Sequence, residues 1–315
     1  MTSCRGDPRA GGPVRAPGPP ELPTPLELPG PLELVALGAL MARTAGRPEL
    51  VVGLVDGPVA AGHPDLSGGR VRQLAGPHPA GCAVPTSASC RHGTFVAGIL
   101  AGRRGCAAPA ICPGCTLLVR PIFGEADPGA RRMPSAAPDE LAEAIVAVVD
   151  AGATVVNISA DLSWPSARDA RTLTEALDHA TRHAVVVAAA GNRGVVGSSA
   201  LTRHPGVIPV AACDARGRPL GYSNLGALTA RRGLSAPGEG VVSLATGHGQ
   251  APVGGTSVAA PLVTGTVALL WSLFPAVGVA EMRWAVSDAA LRRRAVVPPV
   301  LDAAGAHRRL AAMHR

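Results

Sequence analysis

Lysine is absent from the 315 residues. All 29 basic side chains are arginines, which excludes Schiff-base chemistry, a lysine general base and the lysine of a phosphate-binding loop. Aromatic residues are almost missing too: three Trp, three Phe and one Tyr leave no row of rings on which single-stranded nucleic acid could stack. Charged residues make up 16% against 47% hydrophobic, so a sizeable core is available and global disorder is excluded. The net charge of +7 would suit nucleic acid, but the arginines are scattered rather than gathered into a stripe. No nucleic-acid partner is expected. A GC-rich coding origin accounts more simply for the Ala, Gly, Pro and Arg bias.

Export and membrane signals are equally scarce. The first 20 residues hold no apolar run of the kind a secretory signal needs. No window reaches the roughly 18 uninterrupted apolar residues of a membrane span. A cytoplasmic protein without a membrane partner is the expectation. Seven cysteines, an odd number, argue against a complete disulfide framework. Five of them, Cys82, Cys90, Cys106, Cys112 and Cys115, fall within 34 residues, and Cys112-Pro-Gly-Cys115 has the spacing of half a zinc site that the other three would complete. Small buried residues with one bridge among them is the plainer reading, with a structural zinc or a redox pair as alternatives. No cofactor is expected.

Residues 1–31 hold nine of the 31 prolines and predict a flexible or polyproline-like tail. A short helix over 31–44, stopped by Gly46, fills most of the segment 32–48. Continuous apolar runs then predict strands at 50–55, 116–122, 154–158, 184–190, 207–212 and 241–244. Helices are predicted between and after them, at 94–101, 139–151, 170–183, 257–274 and 279–291. This alternation implies an α/β fold with three layers, αβα, around a mostly parallel central sheet. One domain is expected over 49–291, with an Arg-rich helical segment, 292–315, packing on it or trailing from it.

In such a sheet, ligands bind at the carboxyl ends of the strands. Four polar residues fall there: Asp56 after the first buried run, His92 in Arg91-His92-Gly93-Thr94, Asn192 after the most apolar run, and Ser257 in Gly254-Gly255-Thr256-Ser257. Singly, each has a plain alternative as a helix cap or turn residue. Together they are the parts of nucleophilic acyl transfer. A serine hydroxyl is weak until a base takes its proton; the base needs a carboxylate to orient it; and an amide donor must face the developing oxyanion.

Four segments in this order, Val55-Asp56-Gly57, His92-Gly93-Thr94-Phe95-Val96-Ala97-Gly98, Ala189-Ala190-Gly191-Asn192 and Gly255-Thr256-Ser257-Val258-Ala259-Ala260-Pro261, resemble the signature blocks of the subtilisin-like serine proteases. The resemblance runs over about 49–290 and implies a subtilisin-like fold. It also implies Ser257 as nucleophile, His92 as general base and acid, Asp56 as the group that orients His92, and Asn192 with the Ser257 N–H as the oxyanion hole. For the substrate it implies two backbone segments pairing edge-on with a peptide, matched here by 158–161, with Ser159, Ala160 and Asp161, and by 188–191, with Ala189, Ala190 and Gly191. Family members usually have glycine where Asp161 stands. A carboxylate there would favour a basic or small polar residue on the substrate, unless it faces solvent or caps the next segment.

The sequence also departs from the family pattern. Phe95 replaces a second histidine, a change expected to be neutral. Only about 50 residues precede the Asp56 block, so folding without a propeptide inside the cell is expected. The Asn-rich calcium loop of relatives is replaced by Arg103-Arg104-Gly105-Cys106-Ala107-Ala108, which lacks oxygen ligands. Asp65 matches a calcium-binding position but alone is insufficient. Calcium is therefore not expected, and the cysteine cluster is expected to brace this region instead, by bridge or metal. Finer strings, Asp56-Gly57-Pro58-Val59 followed by His63-Pro64, and Arg120-Pro121-Ile122-Phe123, resemble the cyanobactin-type maturation proteases. These imply cleavage of a leader from a ribosomally made precursor peptide. A general intracellular subtilase, and an inactive scaffold that holds a peptide in the same cleft, are the alternatives.

Overall fold

The computed structural model describes residues 28–66, 68, 70–79, 81–125, 135–160, 167–247, 250–287 and 295–314. A parallel sheet of seven strands forms its centre: β1 (Val51–Asp56), β2 (Val71–Gln73), β3 (Thr116–Pro121), β4 (Val155–Ile158), β5 (Val185–Ala189), β6 (Val207–Cys213) and β7 (Leu234–Pro237). They lie in the order β2-β3-β1-β4-β5-β6-β7. A separate antiparallel ribbon pairs β8 (Val242–Leu244) with β9 (Gln250–Pro252). The helices in chain order are α1 (Pro31–Leu34), α2 (Gly38–Met41), α3 (Ala88–Ala101), α4 (Pro138–Asp150), α5 (Ala167–His183), α6 (Ala200–Arg203), α7 (Ala227–Arg232), α8 (Thr256–Leu273), α9 (Val279–Ser287) and α10 (Ala303–Met313).

The strands read as unbroken apolar runs because both faces of the sheet are covered. Successive side chains alternate between two cores. Val52, Leu54, Val187 and Val210 join α3 and α8 on one face, and Val55, Val156, Ile158 and Val186 join α4 and α5 on the other. Strand order reverses at β1. The chain leaves β1 toward β2 and β3 on one side and leaves β4 toward β5, β6 and β7 on the other. The carboxyl ends of β1 and β4 therefore border the crevice at which an open sheet of this kind binds ligands.

Nearly every side chain of α8 is buried. Its mean hydropathy of 1.5 makes it, among the described residues, the one helix long and apolar enough to cross a membrane, yet 89% of it is enclosed by the protein. A helix surrounded by core on all sides is apolar on all sides. Pro261 has no N–H to bond the carbonyl of Ser257 one turn back.

Several elements differ from the sequence expectation. The predicted helix over 31–44 is two separate turns. Leu37 N–H bonds Leu32 O and Ala36 N–H bonds Glu33 O, a Schellman closure with Ala36 at φ 52°, which buries both Val35 and Leu37. Helix α3 begins six residues earlier than position 94, because Ser87 caps it by accepting from Cys90 N at 3.2 Å. Strands β2 and β7 are short, and no long apolar run announces them. Beyond residue 292, α10 packs into the core through Ala303, Ala306 and Leu310, and Ala303 N–H bonds Val35 O. The predicted end of the helix at 279–291 lies outside the described residues.

Candidate active site

Three polar side chains from three separate elements meet in the crevice. Asp56 closes β1 and is fully buried; His92 stands in the second turn of α3; Ser257 is the second residue of α8. His92 Nδ1 lies 2.7 Å from Asp56 Oδ1, and His92 Nε2 lies 2.9 Å from Ser257 Oγ. Asp56 Oδ1 also accepts from Gly57 N at 2.6 Å, which fixes the carboxylate. The approach of α3 to the loop after β1 leaves no room for side chains. A Cβ on Gly57 would strike the Ser89 carbonyl, and one on Gly93 would strike the carbonyls of Gly57 and Pro58.

Burial works against an imidazolium at His92, but the charge of Asp56 and the hydrogen bond to it outweigh that and hold the ring above its ordinary pKa. In the neutral ring the proton belongs on Nδ1, facing the carboxylate. Nε2 is left as an acceptor for the Ser257 hydroxyl. Such an arrangement can take a proton from a serine alcohol.

Asn192 is oriented by Thr256. The Thr256 N–H donates to Asn192 Oδ1 at 2.9 Å and the Thr256 hydroxyl donates to the same oxygen at 3.1 Å. A backbone N–H only donates, so the atom facing it is the amide oxygen and Nδ2 points away from Thr256. Gly255, at φ 135°, keeps the space beside it open; a Cβ there would lie 3.1 Å from Nδ2. The Ser257 N–H is one of the orphan donors at the start of α8. Its place on the N-terminal turn also favours negative charge nearby.

The two expected substrate segments differ. Ser159 and Ala160 follow the end of β4, and Ser159 N–H bonds Val55 O at 3.3 Å. Asn157 anchors this stretch, donating to Ser159 Oγ at 2.8 Å and accepting from Thr264 Oγ1 of α8 at 2.9 Å. Asp161 lies outside the described residues. Ala189 ends β5, and the polar groups of the next two residues are already engaged. Ala190 N–H bonds Val210 O, Ala190 O accepts from Asn224 Nδ2, Gly191 N–H bonds Thr256 Oγ1, and Gly191 O accepts from Asn224 N. These bonds tie Ala190 and Gly191 to β6, to the start of α8 and to Asn224. Thr256 and Asn224 were missed in the sequence, as was Tyr222, whose hydroxyl donates to Gly238 O at 3.2 Å, the carbonyl that also accepts from Gly255 N.

The described cysteines follow the plainer reading, with one bridge among them. Cys82 and Cys90 are bridged, whereas Cys106, Cys112, Cys115 and Cys213 are free thiols. Cys112 and Cys115 hydrogen-bond to each other, which raises the first thiol well above its ordinary pKa and lowers the second. Among the described residues, Cys106, Cys112 and Cys115 do not come together as three metal donors. The calcium position does not fit that ion either. Asp65 Oδ1 is held by the guanidinium of Arg103 at 2.8 Å, a cation supplied by the chain itself. Arg104 braces the same region, donating to the carbonyls of Ala110, Met41, Thr44 and Ile111. Arginines, rather than cysteines, hold this loop.

The Subtilase family, Peptidase S8, matches residues 47–308. Fervidolysin from Fervidobacterium pennivorans is 32% identical over 258 residues, covering 72% of this chain and 35% of its own length. Subtilisin DY from Bacillus licheniformis is 30% identical over 247 residues, covering 76% of this chain and 82% of its own. The chain spans between 35% and 42% of the first two curated relatives it matches. Among solved structures, a mutant of the protease domain of PatA gives a TM-score of 0.75 at 31% identity, over 85% of this chain and 97% of that one. The prenylagaramide maturation protease PagA gives 0.73 at 26% identity, over 87% and 98%. The chain belongs to the subtilases, the serine endopeptidases of family S8.

Proposed function

We propose that this subtilase cuts peptide bonds with Ser257 as nucleophile, His92 as general base and acid, Asp56 as the group that orients His92, and Asn192 as oxyanion donor. We also infer that its substrate is the leader region of a ribosomally made precursor peptide. One observation carries the chemistry: His92 is within hydrogen-bond reach of Asp56 Oδ1 on one ring nitrogen and of Ser257 Oγ on the other. As Ser257 Oγ attacks the scissile carbonyl, His92 Nε2 takes its proton and Asp56 stabilises the resulting imidazolium. The carbonyl oxygen becomes an oxyanion held by Asn192 Nδ2 and the Ser257 N–H. The C–N bond then breaks and His92 returns the proton to the leaving amine. Water, deprotonated by the same imidazole, releases the acyl group and restores Ser257.

The leader reading is supported by likeness to PatA and PagA, which are described as patellamide and prenylagaramide maturation proteases. It is also supported by the Asp56-Gly57-Pro58-Val59 and Arg120-Pro121-Ile122-Phe123 strings. Incubation with a short precursor peptide encoded beside the gene tests it by mass spectrometry. One cut between leader and core, absent with Ser257→Ala, is expected. Equal cleavage of unrelated unfolded proteins at many sites would contradict the leader reading and leave a general protease.

A further inference from the structure

Helix α3, which delivers His92, starts inside a small ring closed by the Cys82–Cys90 bridge. Glu125, from the segment after β3, lies across this ring. Its Oε2 accepts from Ala83 N at 2.8 Å and its Oε1 from Val84 N at 3.0 Å. Cys82 Sγ, Cys90 Sγ and a Glu125 carboxylate oxygen all lie within 4.8 Å of one another, the one such group of three donors among the described residues. Two further oxygens stand close, Pro58 O at 3.6 Å and Thr94 Oγ1 at 3.8 Å from Cys82 Sγ. A cavity of about 420 Å³, lined by Val59, Ala61, Gln73, Gly81, Cys82 and Thr246, opens onto Cys82 and gives small solutes a way in.

We propose that, once the bridge is reduced, Cys82, Cys90 and Glu125 form a binding site for a thiophilic divalent cation, namely zinc. Two thiolates and a carboxylate are a donor set that zinc takes, and a fourth oxygen completes a tetrahedron. The two Cα atoms are 5.6 Å apart, and zinc–sulfur bonds of about 2.3 Å need the sulfurs only about 3.8 Å from each other. Side-chain rotation supplies that separation. Glu125 Oε1 already accepts from Val84 N and, at 3.5 Å, from Ser87 Oγ, whereas Oε2 carries the one bond from Ala83 N and keeps a lone pair for a metal. A phosphine reductant gives the balance in full: the phosphine and one water become the phosphine oxide, and the disulfide becomes two thiols. Zinc then displaces two protons from these thiols. In a reducing compartment, such as the cytoplasm expected from the sequence, the bridge would stand open. Occupancy would then act on the turn that begins two residues before His92.

The test uses the full chain, reduced with a phosphine, desalted without oxygen and dialysed against micromolar zinc. Reduced protein is expected to hold one zinc and the bridged protein none, with two protons released per zinc bound. Cobalt in place of zinc is expected to give a sulfur-to-metal charge-transfer band. Cys90→Ser should abolish binding, Cys112→Ser should leave it unchanged, and Glu125→Gln should weaken it at least about tenfold. In the unaltered chain, zinc should protect Cys82 and Cys90 from alkylation, a readout that needs no variant to fold. Equal zinc in bridged and reduced protein, loss with Cys112→Ser in place of Cys90→Ser, or alkylation of Cys82 and Cys90 indifferent to zinc would each overturn the proposal.

Discussion

His92 acts as a base only when neutral, and Asp56 holds its pKa above the ordinary value of about 6.5. The acid limb of the pH–rate profile is therefore expected above that value. Asp56→Asn should move the limb down and lower kcat by roughly 10⁴-fold; an unmoved limb would show that Asp56 does not govern the imidazole. Stability runs the other way. A histidine raised in the folded state adds stability that is full below its unfolded pKa and is lost as pH climbs through the folded one. The enzyme gains its base over the window in which it loses this increment. Asn192→Ala removes one oxyanion donor and should reduce kcat about 10²–10³-fold, the loss known for the corresponding amide in a subtilisin, with the unfolding temperature little changed. Asp56, His92, Asn192 and Ser257 were legible because each lies within a distinctive string at a strand or helix end. Thr256 and Asn224 were not. Their partners, Asn192 and Ala190, are 64 and 34 residues away, and nothing local signals a contact of that range.

At the level of elements, the reach of His92 depends on how tightly α3 presses on the loop after β1. A methyl on Gly93 would meet the backbone carbonyls of Gly57 and Pro58, neither of which can swing aside as a side chain would. Gly93→Ala is expected to destabilise by about 1–3 kcal/mol and to lower kcat roughly 10²-fold by pushing His92 away from Asp56. Denaturant unfolding and steady-state kinetics check both; wild-type values in each would remove the packing argument. The strands buried on both faces, β1, β3, β4, β5 and β6, were legible as apolar runs, as was α8. The first turn of α3 was hidden because Ser89, Cys90 and Arg91 carry no apolar period, and the cap at Ser87 sets its start. The break between α1 and α2 was hidden because Ala36 adopts a left-handed backbone that its identity does not advertise.

Across the whole molecule, two cores clamp one sheet, and the reversal of strand order beside β1 creates the crevice in which Asp56, His92 and Ser257 meet. Helix α10 extends the first core beyond the predicted domain end through Ala303, Ala306 and Leu310, so the last helix is part of the packed body. The Arg103–Asp65 pair, at 2.8 Å, ties the end of α3 to the turn holding Asp65. All of this serves to hold an imidazole against a buried serine alcohol. Labelling of the folded protein with a fluorophosphonate, followed by peptide mapping, tests that most directly. Stoichiometric modification of Ser257, slowed about 10³-fold or more in His92→Ala, is the predicted result; a folded wild-type chain that stays unlabelled, or labels as fast without His92, would contradict it.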